Sequence, residues 1–60
     1  MKKKIAEWRR FTESRIAYRK LAEEVATRSG LIADAAHCAL RRCQFQELLE
    51  CCDELEKAAA

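Results

Sequence analysis

The residues with the most reactive side chains in this chain are four cysteines and one histidine, all in its second half. Cys38, Cys43, Cys51 and Cys52 form no CxxC pair, and His37 stands next to Cys38 rather than one helical turn away from it. Zinc sites need ligands one turn apart or from several elements. The spacing therefore argues against a metal ion or an iron–sulfur cluster, and we expect no cofactor.

The cysteines are also poorly placed for disulfides within the chain. If the second half is helical, Cys38 and Cys52 lie about 21 Å apart along the axis, beyond the limit of about 7 Å for a bridge. The first half has no cysteine. Cys38 and Cys52 suit small core positions, whereas Cys43 and Cys51 suit an interface or an exposed surface. A redox- or metal-responsive dimer with disulfides between chains remains an alternative.

No group of side chains has the spacing of a catalytic set. His37 has no Ser, Asp or Lys placed to act with it. Glu47, Glu50 and Glu54 follow helical spacing, but bundles that bind two metals also need a Glu-x-x-His motif on facing helices, which is absent. We interpret the three glutamates as a solvated acidic face and predict a non-enzymatic protein.

Two amphipathic helices must position these residues. The second, predicted over residues 31–57, has an apolar seam with heptad spacing, as in helices that pack against other helices. This seam consists of Leu31, Cys38, Phe45, Leu48, Cys52 and Leu55. The first helix is predicted over residues 5–28, with an apolar stripe that Ser14 and Arg15 interrupt. The stripe consists of Phe11, Tyr18, Val25 and Leu21, flanked by Trp8 and Ala22.

Ile5 and Ile16 lie off this stripe, so we expect them to be ordinary exposed residues or a small second contact surface.

The break between the helices is Ser29-Gly30. Gly30 suits the left-handed position that ends a helix, and either residue could cap the next one. So short a link predicts an antiparallel hairpin, although one continuous helix with a tolerated glycine is the alternative.

The hairpin brings together residues whose numbers add up to about 59 or 60. Trp8 then meets Cys52, Phe11 meets Leu48, and Tyr18 lies near Arg41. Residues 1–28 carry nine basic and four acidic side chains, and residues 31–60 carry three and six, so the halves have net charges of +5 and −3. An antiparallel hairpin places the basic beginning beside the acidic end.

A hairpin of 60 residues is a single small domain (1–60) that buries too little surface to be stable with ease. One flank of both helices also stays open. We therefore predict an all-α protein, an antiparallel helical hairpin that dimerises into a four-helix bundle of the coiled-coil type. The alternative is a protein-interaction module, such as a small chaperone or adaptor, whose seam binds a partner helix.

Basic residues interleaved with aromatic ones in the first helix indicate a second hypothesis, binding of nucleic acid. The candidate residues are Lys3, Arg9, Arg10 and Phe11. The competing interpretation is that the aromatic side chains belong to the core and the basic ones to the solvated side. The acidic residues of the second helix would weaken the positive electrostatic field of the first, but two first helices in a dimer could form a continuous basic face.

The seam resembles the second helix of the Rop (repressor of primer) family of plasmid RNA-binding proteins. The positions that carry the resemblance are Leu31, Cys38, Phe45, Leu48 and Cys52. It implies a homodimeric four-helix bundle whose first helices bind paired RNA loops through basic residues and a phenylalanine, in a regulatory role. Lys3 occupies a matching basic position and Phe11 is a shifted counterpart of the phenylalanine. The rest of the first helix departs from the family pattern.

The lysines at positions 2–4 resemble the start of a secretion signal, but Glu7, Arg9 and Arg10 interrupt the apolar stretch that would follow. No segment is apolar enough to span a membrane. We therefore expect a cytoplasmic protein with reduced thiols and no membrane partner.

Overall fold

The computed structural model describes residues 2–59, which form two long helices. Helix α1 spans Lys2–Arg28 and helix α2 spans Ile32–Ala59. They pack against each other as an antiparallel hairpin 45 Å long. The predicted all-α hairpin is confirmed, although α1 begins earlier than residue 5 and α2 is displaced slightly toward the end of the chain.

The turn between the helices is a Schellman motif. The Leu31 N–H donates to the Ala26 carbonyl at 2.9 Å, and the Gly30 N–H donates to the Thr27 carbonyl at 3.1 Å. Gly30 has a φ of 75°, which confirms its predicted left-handed role at the end of α1. The predicted capping of α2 by Gly30 or its predecessor is wrong, because the Leu31 carbonyl accepts the first hydrogen bond of α2.

The line of contact between the helices is narrow and only partly apolar. Ile5 and Ile16 are the most buried large side chains of α1, with 4% and 8% exposed, and Cys38 and Cys52 are buried on α2. The expected exposure of the two isoleucines is therefore wrong. Steps of seven and four residues place Ile5, Thr12 and Ile16 on one side of the helix, and it is this side that faces α2.

Charged side chains complete this contact. Arg9 of α1 pairs with Asp53 and Glu56 of α2, with its Nε 2.8 Å from the Glu56 Oε1. Nearer the turn, the Arg42 Nη2 lies 3.3 Å from the Glu23 Oε1. The two pairs of Arg9 confirm the predicted alignment of the basic beginning of α1 with the acidic end of α2, whereas the pair near the turn joins a basic residue of α2 to an acidic residue of α1.

Candidate interaction face

One side of the hairpin is apolar and uncovered. Within residues 2–59, ten large apolar side chains are at least 45% exposed, and eight of them border two grooves between α1 and α2. We call this surface the apolar face. Its exposed members are Trp8, Phe11, Tyr18, Leu21, Val25, Leu31, Leu48 and Leu55. An exposed apolar surface of this kind is typical of an interaction site on a small protein.

Heptad spacing on both helices builds the apolar face. On α1, alternating steps of three and four residues connect Trp8, Phe11, Arg15 and Tyr18. Such steps return the chain to the same side of a helix. The corresponding line begins at Leu31, just before α2, and continues along α2 through Asp34, Cys38, Arg41, Phe45, Leu48, Cys52 and Leu55.

The groove near the chain ends has a volume of about 320 Å³. Trp8 and Phe11 of α1 form one wall and Leu48 and Leu55 of α2 the other, with the buried Cys52 between them. Trp8 and Cys52, and likewise Phe11 and Leu48, therefore border the same groove, as the predicted alignment requires. These residues line an open groove, however, and do not close a core.

The groove near the turn has a larger volume, about 420 Å³. Tyr18, Leu21 and Val25 of α1 face Leu31, the residue just before α2, across it, and Asp34 is a carboxylate on its border. The four apolar side chains are each more than half exposed. Together the two grooves extend the apolar face along most of the length of the hairpin.

Arg15 stands between the two grooves. Its guanidinium carbon lies 5.9 Å from the ring centroid of Phe11, 5.7 Å from that of Tyr18 and 6.0 Å from that of Phe45. Its Nε is buried and has no hydrogen-bond partner within residues 2–59. Since a guanidinium only donates hydrogen bonds, the terminal N–H groups of this partly exposed side chain can bind an acceptor oxygen of whatever covers the apolar face.

Sequence reasoning treated Arg15 as an interruption of the apolar stripe and missed this role. The available signal was its spacing, because Arg15 stands seven residues from both Trp8 and Ala22. The predicted contact of the Tyr18 ring with Arg41 is wrong, since the guanidinium groups over that ring belong to Arg15 and to Arg19.

The six predicted seam residues divide into two groups. Cys38 and Cys52 are buried and Phe45 is partly buried, so these three lie close to α1. The other three are about half exposed on the apolar face: Leu31, Leu48 and Leu55. The seam therefore lies along the border between the contact inside the hairpin and the uncovered surface.

Arg9 is engaged inside the hairpin. Its hydrogen bond to Glu56, together with that to Asp53, raises its pKa above the ordinary value. A further carboxylate, that of Glu13, lies 3.9 Å away on α1. Its charge is thus compensated by neighbouring carboxylates.

The four residues predicted to bind nucleic acid do not share one surface. Arg9 turns toward α2, and Phe11 lines the apolar face. Lys3 and Arg10 are exposed and seven residues apart, which places them together on another side of α1. The structure thus separates the predicted set into a structural arginine, an apolar-face residue and two exposed basic residues.

The cysteines divide by burial as well. All four thiols are free; Cys38 and Cys52 are buried, whereas Cys43 and Cys51 are exposed. Within residues 2–59, no three His, Cys, Asp or Glu side chains cluster as metal ligands would. Neither described helix combines the length and apolarity needed to cross a bilayer.

Comparisons with protein-family models, curated proteins and solved structures found no match to this chain. The resemblance to the Rop family therefore remains a hypothesis that rests on the spacing in α2. The role of the apolar face is argued below from its geometry and chemistry.

Proposed function

We propose that this chain is a non-enzymatic binding protein that works as a homodimer, in which the apolar faces of two copies cover each other and complete a four-helix bundle. The observation that carries the proposal is the concentration of eight half-exposed large apolar side chains on one side of the hairpin. Leaving such a surface in water is unfavourable, so an occupant is expected.

The size of the apolar face suits a second copy. The hairpin is 45 Å long, and a stable interface typically buries about 800 Å² on each partner. Exposed residues on a strip of this length can supply such an area. A twofold dimer also uses the same surface on both copies, so a single apolar face per chain is sufficient.

The limited core of the hairpin supports the same conclusion. Its contact line relies on two isoleucines, small residues and ion pairs, and no large side chain within residues 2–59 is completely buried. Chains of this size usually need an added source of stability. Dimerisation would add an apolar core where the single hairpin has only grooves.

A pair of matched variants tests the proposal. Leu48→Glu places a carboxylate in the groove wall, whereas Ile32→Glu places one on an 80% exposed residue that borders neither groove. We expect light scattering to show a dimer for the Ile32 variant and a monomer for the Leu48 variant, at concentrations where the unmodified chain is dimeric. Equal masses for both variants would overturn the proposal.

The competing occupant is a helix of another protein, as in an adaptor or small chaperone. In that case the chain alone would be monomeric or aggregated, and would gain helicity and solubility only with its partner.

Binding of RNA through Lys3 and Arg10 is a separate hypothesis, supported by the exposure of both residues. It is compatible with the dimer, because neither residue lines the apolar face.

A further inference from the structure

The proposed homodimer leaves open how the two hairpins face each other. Resting on that proposal, we infer that α1 of each copy lies beside α2 of the other, with both turns at the same end of the bundle. In this arrangement, Arg15 of each copy binds the carboxylate of Glu47 of the second copy.

Twofold symmetry permits two arrangements in which the apolar faces meet and all neighbouring helices are antiparallel. An axis parallel to the helices places α1 beside α2 of the second copy and both turns at one end. A perpendicular axis places α1 beside α1 and α2 beside α2, with the turns at opposite ends. The two arrangements bring different residues together.

Helix charge favours the parallel axis. Nine basic and four acidic residues lie on α1, and three basic and six acidic residues lie on α2. The parallel axis therefore places a helix of net charge +5 beside one of −3. The perpendicular axis places like-charged helices together twice. Opposite charge across an interface favours the correct register, and like charge disfavours it.

The partner of Arg15 can be identified from the position of each residue along the long axis of the hairpin, which we call its height. Contacts within the chain, such as those of Arg15 with Phe45 and of Arg9 with Glu56, join residues whose numbers add up to 60–65. Rotation about an axis parallel to the helices leaves heights unchanged, so the same rule holds between copies. Arg15 and Glu47 add up to 62 and therefore lie at the same height.

Glu47 is also on the correct side of α2. It is exposed and stands one helical turn before Cys51, which lines the groove near the chain ends. It therefore lies on the border of the apolar face that is farther from Cys38 and Cys52, which are buried against α1 of its own chain. With the parallel axis, this border meets α1 of the second copy. A carboxylate there can accept hydrogen bonds from the terminal N–H groups of the partly exposed Arg15, and a charge-assisted bond of this kind is stronger than a neutral one.

The same arrangement accounts for an otherwise isolated leucine. Leu40 is 58% exposed, borders neither groove, and stands seven residues before Glu47 on the same border. Leu21, on the corresponding border of α1, has a number that adds up with Leu40 to 61, so the two lie at one height. With the parallel axis, Leu40 packs against Leu21 of the second copy. With the perpendicular axis, Leu21 would instead face α1 of the second copy.

Exchange of the two charges tests the inference. Arg15→Glu and Glu47→Arg each create two like-charged contacts in their own homodimers, so we expect each to raise the dimer Kd about tenfold. A mixture of the two variants restores opposite charges at both contacts and should form a heterodimer close to the unmodified affinity. Ultracentrifugation of each variant and of the mixture measures this.

The mixture also separates the two proposals. If the unmodified chain is a dimer but the mixture is no tighter than the separate variants, the arrangement inferred here is wrong and the proposed function stands. If the unmodified chain is monomeric at every concentration, the proposed function fails and this inference fails with it.

Distances between spin labels give a second measurement that leaves Arg15 intact. The label is attached at Ser29→Cys, in a chain whose exposed thiols are removed by Cys43→Ser and Cys51→Ser. Helix axes in bundles are about 10 Å apart, so turns at one end place the labels within roughly 25 Å. Labels separated by nearly the full 45 Å of the hairpin would overturn the inference.

Discussion

The guanidinium of Arg15 lies 6.0 Å from the ring centroid of Phe45, across the hairpin and between the two apolar grooves. This contact places a positive charge at the centre of a surface that is otherwise lined mainly by apolar side chains. Apolar side chains alone accept many partners, whereas a desolvated charge is stable only beside a complementary group. In the proposed dimer, the apolar side chains provide affinity and Arg15 provides selectivity.

Truncation of Ile16 should destabilise the hairpin itself. Ile16 is 8% exposed in a contact with few other large side chains, so Ile16→Ala should lower the free energy of unfolding by about 2–4 kcal/mol. Urea unfolding followed by circular dichroism measures the change. Ile32→Ala, at an 80% exposed position, is the control and should cost less than about 0.5 kcal/mol. Equal costs would mean that the narrow contact line is not the core.

Replacement of the turn glycine should destabilise the chain for a purely conformational reason. A Cβ at Gly30 would meet no atom within 4 Å, yet the φ of 75° is unfavourable for a side chain. Gly30→Ala should therefore cost about 1–2 kcal/mol. Ser29→Ala, next to it in the same turn, is the matched control. If both variants unfold at the same urea concentration, the Schellman turn does not determine the stability of the hairpin.

Thiol reactivity should report coverage of the apolar face. Cys43 and Cys51 are both exposed in the single hairpin, but only Cys51 lines a groove. As protein concentration rises, alkylation of Cys51 should slow while alkylation of Cys43 continues unchanged, because dimerisation buries the groove. Mass spectrometry of digested samples follows each site separately. Parallel behaviour of the two thiols at all concentrations would contradict the proposed interface.

The nucleic-acid hypothesis makes a prediction about which arginine matters. Arg10 is exposed, whereas Arg9 is bonded to Glu56 and Asp53. We expect Arg10→Glu, combined with Lys3→Glu, to abolish binding to paired RNA hairpin loops, and Arg9→Gln to leave it nearly unchanged while destabilising the hairpin. Each lost phosphate contact should lower the salt dependence of log K by about 0.9. Binding that survives the double reversal would remove this hypothesis.

The hairpin could be predicted from the sequence because its signals are local. Heptad spacing identified both helices, and the single glycine, Gly30, identified the turn between them. The Schellman bonds need only the residues around that glycine, so no distant contact had to be known.

The side of α1 that faces α2 could not be predicted in the same way. Hydrophobic spacing selected the line of Phe11 and Tyr18, but these residues are on the apolar face, and the line of Ile5 and Ile16 is buried instead. Ion pairs such as Arg9 with Glu56 hold the helices together, and charged residues produce no apolar stripe. The hydrophobic spacing therefore identified the exposed apolar face more clearly than the contact within the chain.

The measurement that tests the central claim most directly is sedimentation equilibrium of the unmodified chain over a wide range of dilution, with circular dichroism at each concentration. We predict a reversible equilibrium between helical chains of 6.9 kDa and species of twice that mass, with no larger assembly. A single helical species of 6.9 kDa at all concentrations would contradict the claim that a second copy covers the apolar face.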